Sequence, residues 1–285
     1  MEKTHIRHVF ELNLAMLCIS TSGALGRFID IPPPLTIWWR SFLAILFLGV
    51  YLLVKKFPLR FNLKEKKVPL LLSGILMAAH WITYFYALQW SNVAIAMLSL
   101  FTYPIMTAFL EPLFLKTKFQ WPHLYLGGVM LLGVYFLVPD MDLGDAETQG
   151  LLIGLFSALI YSFRNILLKT QIKDMNGSVL MLYQMVITVV LMLPVLFVYE
   201  GAGVQQFWPY ILLLGFVTTA IGHTMFLNSF KHFSVSSASL LGGMQPVYGI
   251  FLAVIFLQEI PSWQNMIGGC LIILAVLLEG RRSYK

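Results

Sequence analysis

The sequence predicts an all-α integral membrane protein: ten transmembrane helices in two inverted five-helix repeats, residues 1–140 and 141–285, forming one compact membrane domain. Three observations predict it. Hydrophobic residues make up 59% of the 285 and charged residues only 11%, and apolar stretches near 20 residues recur along the whole length, as a bilayer-spanning helix requires. A shift of 142 positions lays the second half on the first with proline, tryptophan and glycine matched in one register. The charges of equivalent loops change sign across that shift.

The apolar stretches fall at roughly 9–27, 35–54, 68–88, 92–115, 121–138, 150–170, 176–198, 208–230, 235–258 and 262–279. Their runs are continuous rather than alternating, which favours helices over barrel strands. The first follows Lys3 and Arg7 and carries Ser20-Thr21-Ser22-Gly23-Ala24, a pattern like a secretory signal. Glu11 and Asn13 near its start, and its place in the repeat, argue for a retained helix. The second opens on Trp38-Trp39-Arg40, an interfacial belt pattern, and the third holds His80, Trp81 and Tyr84. The fourth has Tyr103-Pro104 in mid-span, and the fifth begins near Trp121. The sixth contains Arg164, the eighth His223, and the ninth Gly242-Gly243 and Gln245-Pro246, with Trp263 leading into the tenth. Cys18 and Cys270 fall inside helices and read as small buried apolar residues rather than a disulfide.

The repeat is specific. Pro104 falls on Pro246, Trp121 on Trp263 and Gly127 on Gly269, and residues 93–136 show 12 identities in 44. Internal repeats of whole helical bundles build many membrane transporters.

Charge gives the orientation. With the N-terminus in the cytoplasm, 16 of the 19 Lys and Arg residues lie on that side, Arg27, Arg40 and Arg164 being the others. The opposite loops carry Asp30, Asp140, Asp142, Asp145, Glu147, Glu200 and Glu259. The expected location is the cell (inner, cytoplasmic) membrane, and the positive-inside rule puts both termini in the cytoplasm, which requires an even number of spans. The net charge of +6 follows from this distribution and does not point to nucleic acid. The loop Lys116-Thr117-Lys118 has Gln258-Glu259-Ile260 as its repeat mate, so the charge swaps, as inversion requires.

Ten helices in two inverted halves resemble the EamA branch of the drug/metabolite transporter superfamily. The segments that carry the resemblance are Pro104-Ile105, Phe114-Leu115 and Trp121 with Gly127-Gly128, then Gln245-Pro246-Val247, Phe256-Leu257-Gln258-Glu259 and Trp263 with Gly268-Gly269. Arg40 matches an arginine such proteins often carry early in the second helix. Thr117 departs from the acidic residue often found at the end of the fourth. The resemblance implies transport of a small organic molecule, usually export of amino acids or related metabolites.

A binding site is expected near the midplane, where inverted-repeat transporters have broken helices. Pro104 and Pro246 mark the breaks, since a mid-helix proline removes a backbone hydrogen bond at about 3 kcal/mol. His80, Trp81, Tyr84, Tyr103 and Gln245 are the candidate substrate contacts: polar side chains at this depth seldom face lipid. Packing between helices is the alternative for each. Arg40, Arg164 and His223 are candidates for gating or coupling, with contact to a substrate carboxylate as the alternative for Arg40; two buried imidazoles, His80 and His223, suit proton transfer near neutrality. Both arginines are placed to snorkel toward an interface, and Glu11 and Glu111 lie near Arg164 in depth.

No Gly-x-x-x-x-Gly-Lys loop provides an ATP motor, and no His-Glu-x-x-His or paired-cysteine motif provides a metal site, so no cofactor is expected. An intramembrane enzyme would need a catalytic constellation; Ser234–Ser239 is polar but lies at a helix start. A channel is the other alternative. The partners implied are a small solute, the lipid bilayer and protons.

Overall fold

The computed structural model describes residues 2–57, 63–115, 121–138, 140–169, 176–200, 203–233 and 242–283. Every regular element among them is helical: α1 Glu2–Phe28, α2 Pro33–Val54, α3 Leu63–Trp90, α4 Val93–Leu100, α5 Tyr103–Leu115, α6 Pro122–Leu137, α7 Ala146–Lys169, α8 Gly177–Leu191, the single turn α9 Val195–Val198, α10 Trp208–Leu213, α11 Thr224–Ser229, α12 Gln245–Leu257 and α13 Trp263–Ser283. Short 3₁₀ turns precede α10 and α12, and a π-helix, Leu214–His223, joins α10 to α11. Six helical segments are long and apolar enough to cross a bilayer: Arg7–Phe28, Pro33–Val54, Lys67–Trp90, Val93–Phe114, Ala146–Leu168 and Val204–Ser229. Four shorter apolar helices accompany them, at Leu124–Leu137, Gly177–Leu191, Gly242–Leu257 and Trp263–Leu278. The chain is a multi-pass α-helical membrane protein. Large apolar side chains such as Leu53, Leu131, Phe197, Phe251 and Phe256 stand exposed on its periphery, where hydrocarbon rather than water is the solvent.

The packing follows the 142-residue register. α3 lies along α7, and the counterpart of α3, Val204–Ser229, lies along α1. α3 also packs on α8, as the π-helix packs on α2. α12 packs on α1 as α4 and α5 pack on α7, while α2 pairs with α8 and α6 with α13. In the last pair a Cβ on Gly133 would stand 2.9 Å from the Gly268 carbonyl oxygen, and one on Gly268 would stand 2.6 Å from that of Gly133. Small residues let membrane helices approach this closely.

Neither Pro104 nor Pro246 stands in mid-helix; each lies in the first turn of a helix. α4 ends at Leu100, and its last carbonyls are taken by Phe101 and Thr102. α5 restarts at Tyr103, so Pro104 stands in the first turn of a new helix, where its missing N–H has no intrahelical partner to lose. Pro246 occupies the same place in α12, which starts at Gln245 after the turn Gly242–Met244. α5 and α12 are both 13 residues long and coincide at both ends under the 142-residue shift.

Three further expectations are corrected. Arg40 and Arg164 do not snorkel; both are fully buried against protein partners. Glu11 pairs with Arg7 (2.8 Å) and approaches His8 (3.3 Å), on its own helix, rather than reaching Arg164. Trp38 is buried in the α2–α8 seam, its indole N–H donating to the Val189 carbonyl at 3.1 Å, instead of lying in an interfacial belt. Of the cysteines, Cys18 is half-buried and Cys270 exposed. Ser234–Ser239 and Thr117 lie outside the described residues.

Candidate functional site

The site is built on the middle of α3. His80, Trp81 and Tyr84 are all buried there. On α7, Ser157, Tyr161, Arg164 and Asn165 recur at helical spacing and share the face that meets α3. His80 and Ser157 are doubly joined: His80 Nδ1 lies 2.8 Å from Ser157 Oγ, and that hydroxyl lies 2.8 Å from the His80 carbonyl oxygen, to which it can donate. The hydroxyl has one proton, so when it goes to the carbonyl, His80 Nδ1–H is the donor to Ser157 Oγ. The His80 ring stacks on Tyr161 with centroids 4.4 Å apart. Tyr103 meets Tyr161 edge-on at 4.8 Å.

On the other side of α3, the Arg40 guanidinium lies over the Trp81 ring, 3.9 Å from its centroid, and 5.5 Å from that of Phe85. Such contacts are worth about 0.5–2 kcal/mol, more when desolvated. Arg40 Nε and Nη2 donate to Thr219 Oγ1 at 3.2 and 2.8 Å. The π-helix sets this up. Thr219 Oγ1 donates back to the Leu214 carbonyl five residues earlier, at 2.8 Å, and Gly215 lets the segment approach so closely that a Cβ there would sit 3.1 Å from the Arg40 carbonyl oxygen. The π-helix ends at His223, whose ring meets Trp81 edge-on at 5.3 Å.

Arg164 occupies a separate level. Its Nη2 donates to Gln184 Oε1 at 2.7 Å and its Nη1 to Asn165 Oδ1 at 3.2 Å; Gln184 Nε2 then donates to Ser73 Oγ at 3.2 Å. Ser73 precedes Trp81 by eight positions of α3, roughly 12 Å along the helix axis.

The structure thus brings His80, Trp81, Tyr84, Tyr103, Arg40 and His223 into one buried cluster, with Arg164 reaching it through Tyr161, 5.5 Å from its guanidinium. Gln245 enters differently: its side chain is half-buried, and its carbonyl accepts from Ser20 Oγ at 2.9 Å. Tyr103, its repeat mate, has its carbonyl bonded by Ser162 Oγ at 3.0 Å. Ser157, Tyr161, Gln184 and Thr219 were not singled out from sequence. The helical spacing of the α7 set was the available signal; for Thr219 there was none, because the π-helix that turns it toward Arg40 has no signature in composition.

At the end of the bundle where α1 and α3 finish, a cavity of about 710 Å³ is lined by Arg27, Asn92, Asp140, Glu147, Glu259 and Asn265 among others. Arg27 Nε bonds Glu259 Oε1 at 2.8 Å, and Nη1 donates to the Leu88 and Gln89 carbonyls that end α3. Glu259 Oε2 accepts the Val93 N–H at the start of α4 (3.0 Å). One ion pair therefore ties four helix ends together.

Comparison with known proteins agrees with this architecture. A solved crystal structure superposes with a TM-score of 0.72 at 18% identity, covering 97% of this chain and 98% of the other, which establishes the shared fold. An uncharacterized transporter of Archaeoglobus fulgidus is 27% identical over 205 residues, 70% of this chain and 71% of the relative. The pseudopaline exporter CntI of Pseudomonas aeruginosa is 22% identical over 272 residues, 94% of both chains. The model of the EamA-like transporter family matches twice, over residues 9–138 and 148–279. With nearly the whole length covered by that double match, the chain belongs to the EamA-like transporter family.

Proposed function

We propose that this membrane transporter is a secondary carrier that moves a small neutral or zwitterionic, amino-acid-like metabolite out of the cell by alternating access. In this reading ten helices cross the inner membrane in two inverted halves, residues 1–140 and 141–285, with both termini cytoplasmic. The observation that carries it is the matched pair of helix starts. α5 and α12 begin at equivalent residues, Tyr103 and Gln245, and each first carbonyl is held by a serine from the opposite half. Helices that start at the same place in both halves give each, in this reading, an equivalent hinge beside the buried cluster, and two such halves can exchange conformations around one site.

His80, Trp81, Tyr84, Tyr103 and Gln245 are assigned as substrate contacts. Aromatic faces with a few hydrogen-bonding groups suit a small amphiphilic solute. Arg164, at one side of the cluster, is assigned as a gate residue, and His80 and His223 are assigned to proton coupling. The sequence holds no phosphate-binding loop, so a solute or proton gradient drives the cycle. Outward movement is adopted from the relative described as a pseudopaline exporter. Overexpression in a bacterial host should raise resistance to a toxic amino-acid analogue and lower its cellular accumulation; raised sensitivity with higher accumulation would reverse the direction.

A further inference from the structure

Among the described residues, the buried set contains two arginines and no aspartate or glutamate. A buried cation without a counter-ion is costly, by a few kcal/mol even on insertion scales. Arg164 has two amide-oxygen acceptors, from Gln184 and Asn165, and one unpaired nitrogen, Nε. Arg40 has less. Its polar partner is one neutral hydroxyl, Thr219 Oγ1, and its Nη1 has no hydrogen-bond partner at all. Native buried polar groups are nearly always paired, so an orphaned guanidinium nitrogen requires an explanation.

Two of the other unpaired polar atoms lie around Trp81. His223 Nδ1 also lacks a partner, and His223 shares the Trp81 ring with Arg40. The Tyr84 hydroxyl, one turn along α3 from Trp81, faces Ser22 without hydrogen-bonding geometry. These groups come from α2, α3 and the π-helix, so the unmet donors converge from three elements. Arg40 and His223 are each at most 4% exposed.

We infer that the transported solute carries a carboxylate and that this group docks between Arg40 Nη1 and His223 Nδ1, over the edge of Trp81. The inference rests on the carrier reading above and narrows its substrate class. A carboxylate offers two oxygens to two donors, and a charge-assisted bond to guanidinium is about twice as strong as a neutral one. A solute without an anionic group would leave the guanidinium unpaired. Trp81 holds Arg40 in place when the solute is absent, and Thr219 fixes its plane.

The test is a binding series on the purified full-length protein. The probes are the proteinogenic amino acids, their carboxamides, and the matched carboxylic acids lacking the amine, each measured by thermal shift and equilibrium binding. Acids should bind and their carboxamides bind at least tenfold more weakly. Arg40→Lys, which keeps the charge and loses the planar fork, should weaken the acids about tenfold. Arg40→Gln should bind acid and amide alike; if it does not fold, the wild-type series and Arg40→Lys remain decisive. Carboxamides binding wild type as tightly as acids, or Arg40→Lys binding acids unchanged, would overturn the assignment while leaving the carrier intact. Binding by no member of any series would instead remove the amino-acid-like reading on which the assignment rests.

Discussion

Ser20 and Ser162 stand 142 residues apart and make the same two bonds in opposite halves of the chain. Ser20 Oγ lies 2.6 Å from the Met16 carbonyl oxygen and 2.9 Å from that of Gln245. Ser162 Oγ lies 2.9 Å from the Ala158 carbonyl oxygen and 3.0 Å from that of Tyr103. Each hydroxyl has one proton to share between its own helix, one turn back, and the restarted helix across the molecule. The two serines are buried, so neither carbonyl has water as a substitute.

Ser20→Ala and Ser162→Ala should therefore destabilise the protein by similar amounts, about 1 kcal/mol each, the net value of one buried hydrogen bond. Thermal unfolding of the two variants checks this. Equal shifts support two equivalent hinges. A large loss for one and none for the other would mean that the symmetry of the contacts is not a symmetry of energies.

The Arg27–Glu259 pair makes a separable prediction. Both side chains are partly exposed, so the ion pair itself is worth at most about 1 kcal/mol. Glu259 Oε2 also accepts the Val93 N–H at the start of α4, and losing such a cap typically costs about 1 kcal/mol. Glu259→Gln keeps an acceptor and should cost little, whereas Glu259→Ala should cost clearly more. Equal melting temperatures for the two variants would show that the cap contributes nothing.

For the site, Tyr84→Phe removes only the buried hydroxyl and Gln245→Ala trims a half-buried side chain at the start of α12. Each should weaken solute binding or transport about tenfold, the value of one hydrogen bond to the ligand, with the protein folded and inserted. Wild-type affinity in both would make these residues packing and place the solute elsewhere.

Topology can be read by labelling in a background lacking Cys18 and Cys270. Gln205 and Glu147 are both exposed, and single cysteines there should react from outside intact cells. One at Glu65 should not. The reverse pattern would invert the assignment of sides.

The α-helical membrane character was legible in the sequence because bilayer spans need long apolar runs, and the equivalence of the helix starts at Tyr103 and Gln245 was legible because Pro104 and Pro246 share one register. What could not be read was the reason a side chain is tolerated where it is. Arg40 and Arg164 looked like snorkelling residues, since only neighbours distant in sequence, Thr219, Trp81 and Gln184, make deep burial tenable. The π-helix at Leu214–His223 was invisible for the same reason. It is held by Thr219 bonding to Leu214 and by Gly215 closing on α2, and neither contact leaves a periodic trace. Ser20 and Ser162 carry no signal in the sequence because serine is ordinary in membrane helices. Only the positions of their acceptors distinguish them.

Counterflow in liposomes tests the central claim most directly. Purified protein is reconstituted, the vesicles are loaded with unlabelled solute identified in the binding series, and uptake of labelled solute is followed from outside. A carrier with two inverted halves predicts saturable uptake that accelerates and transiently overshoots when solute is present inside. Uptake that stays linear with concentration and is indifferent to internal solute would contradict alternating access and describe a channel.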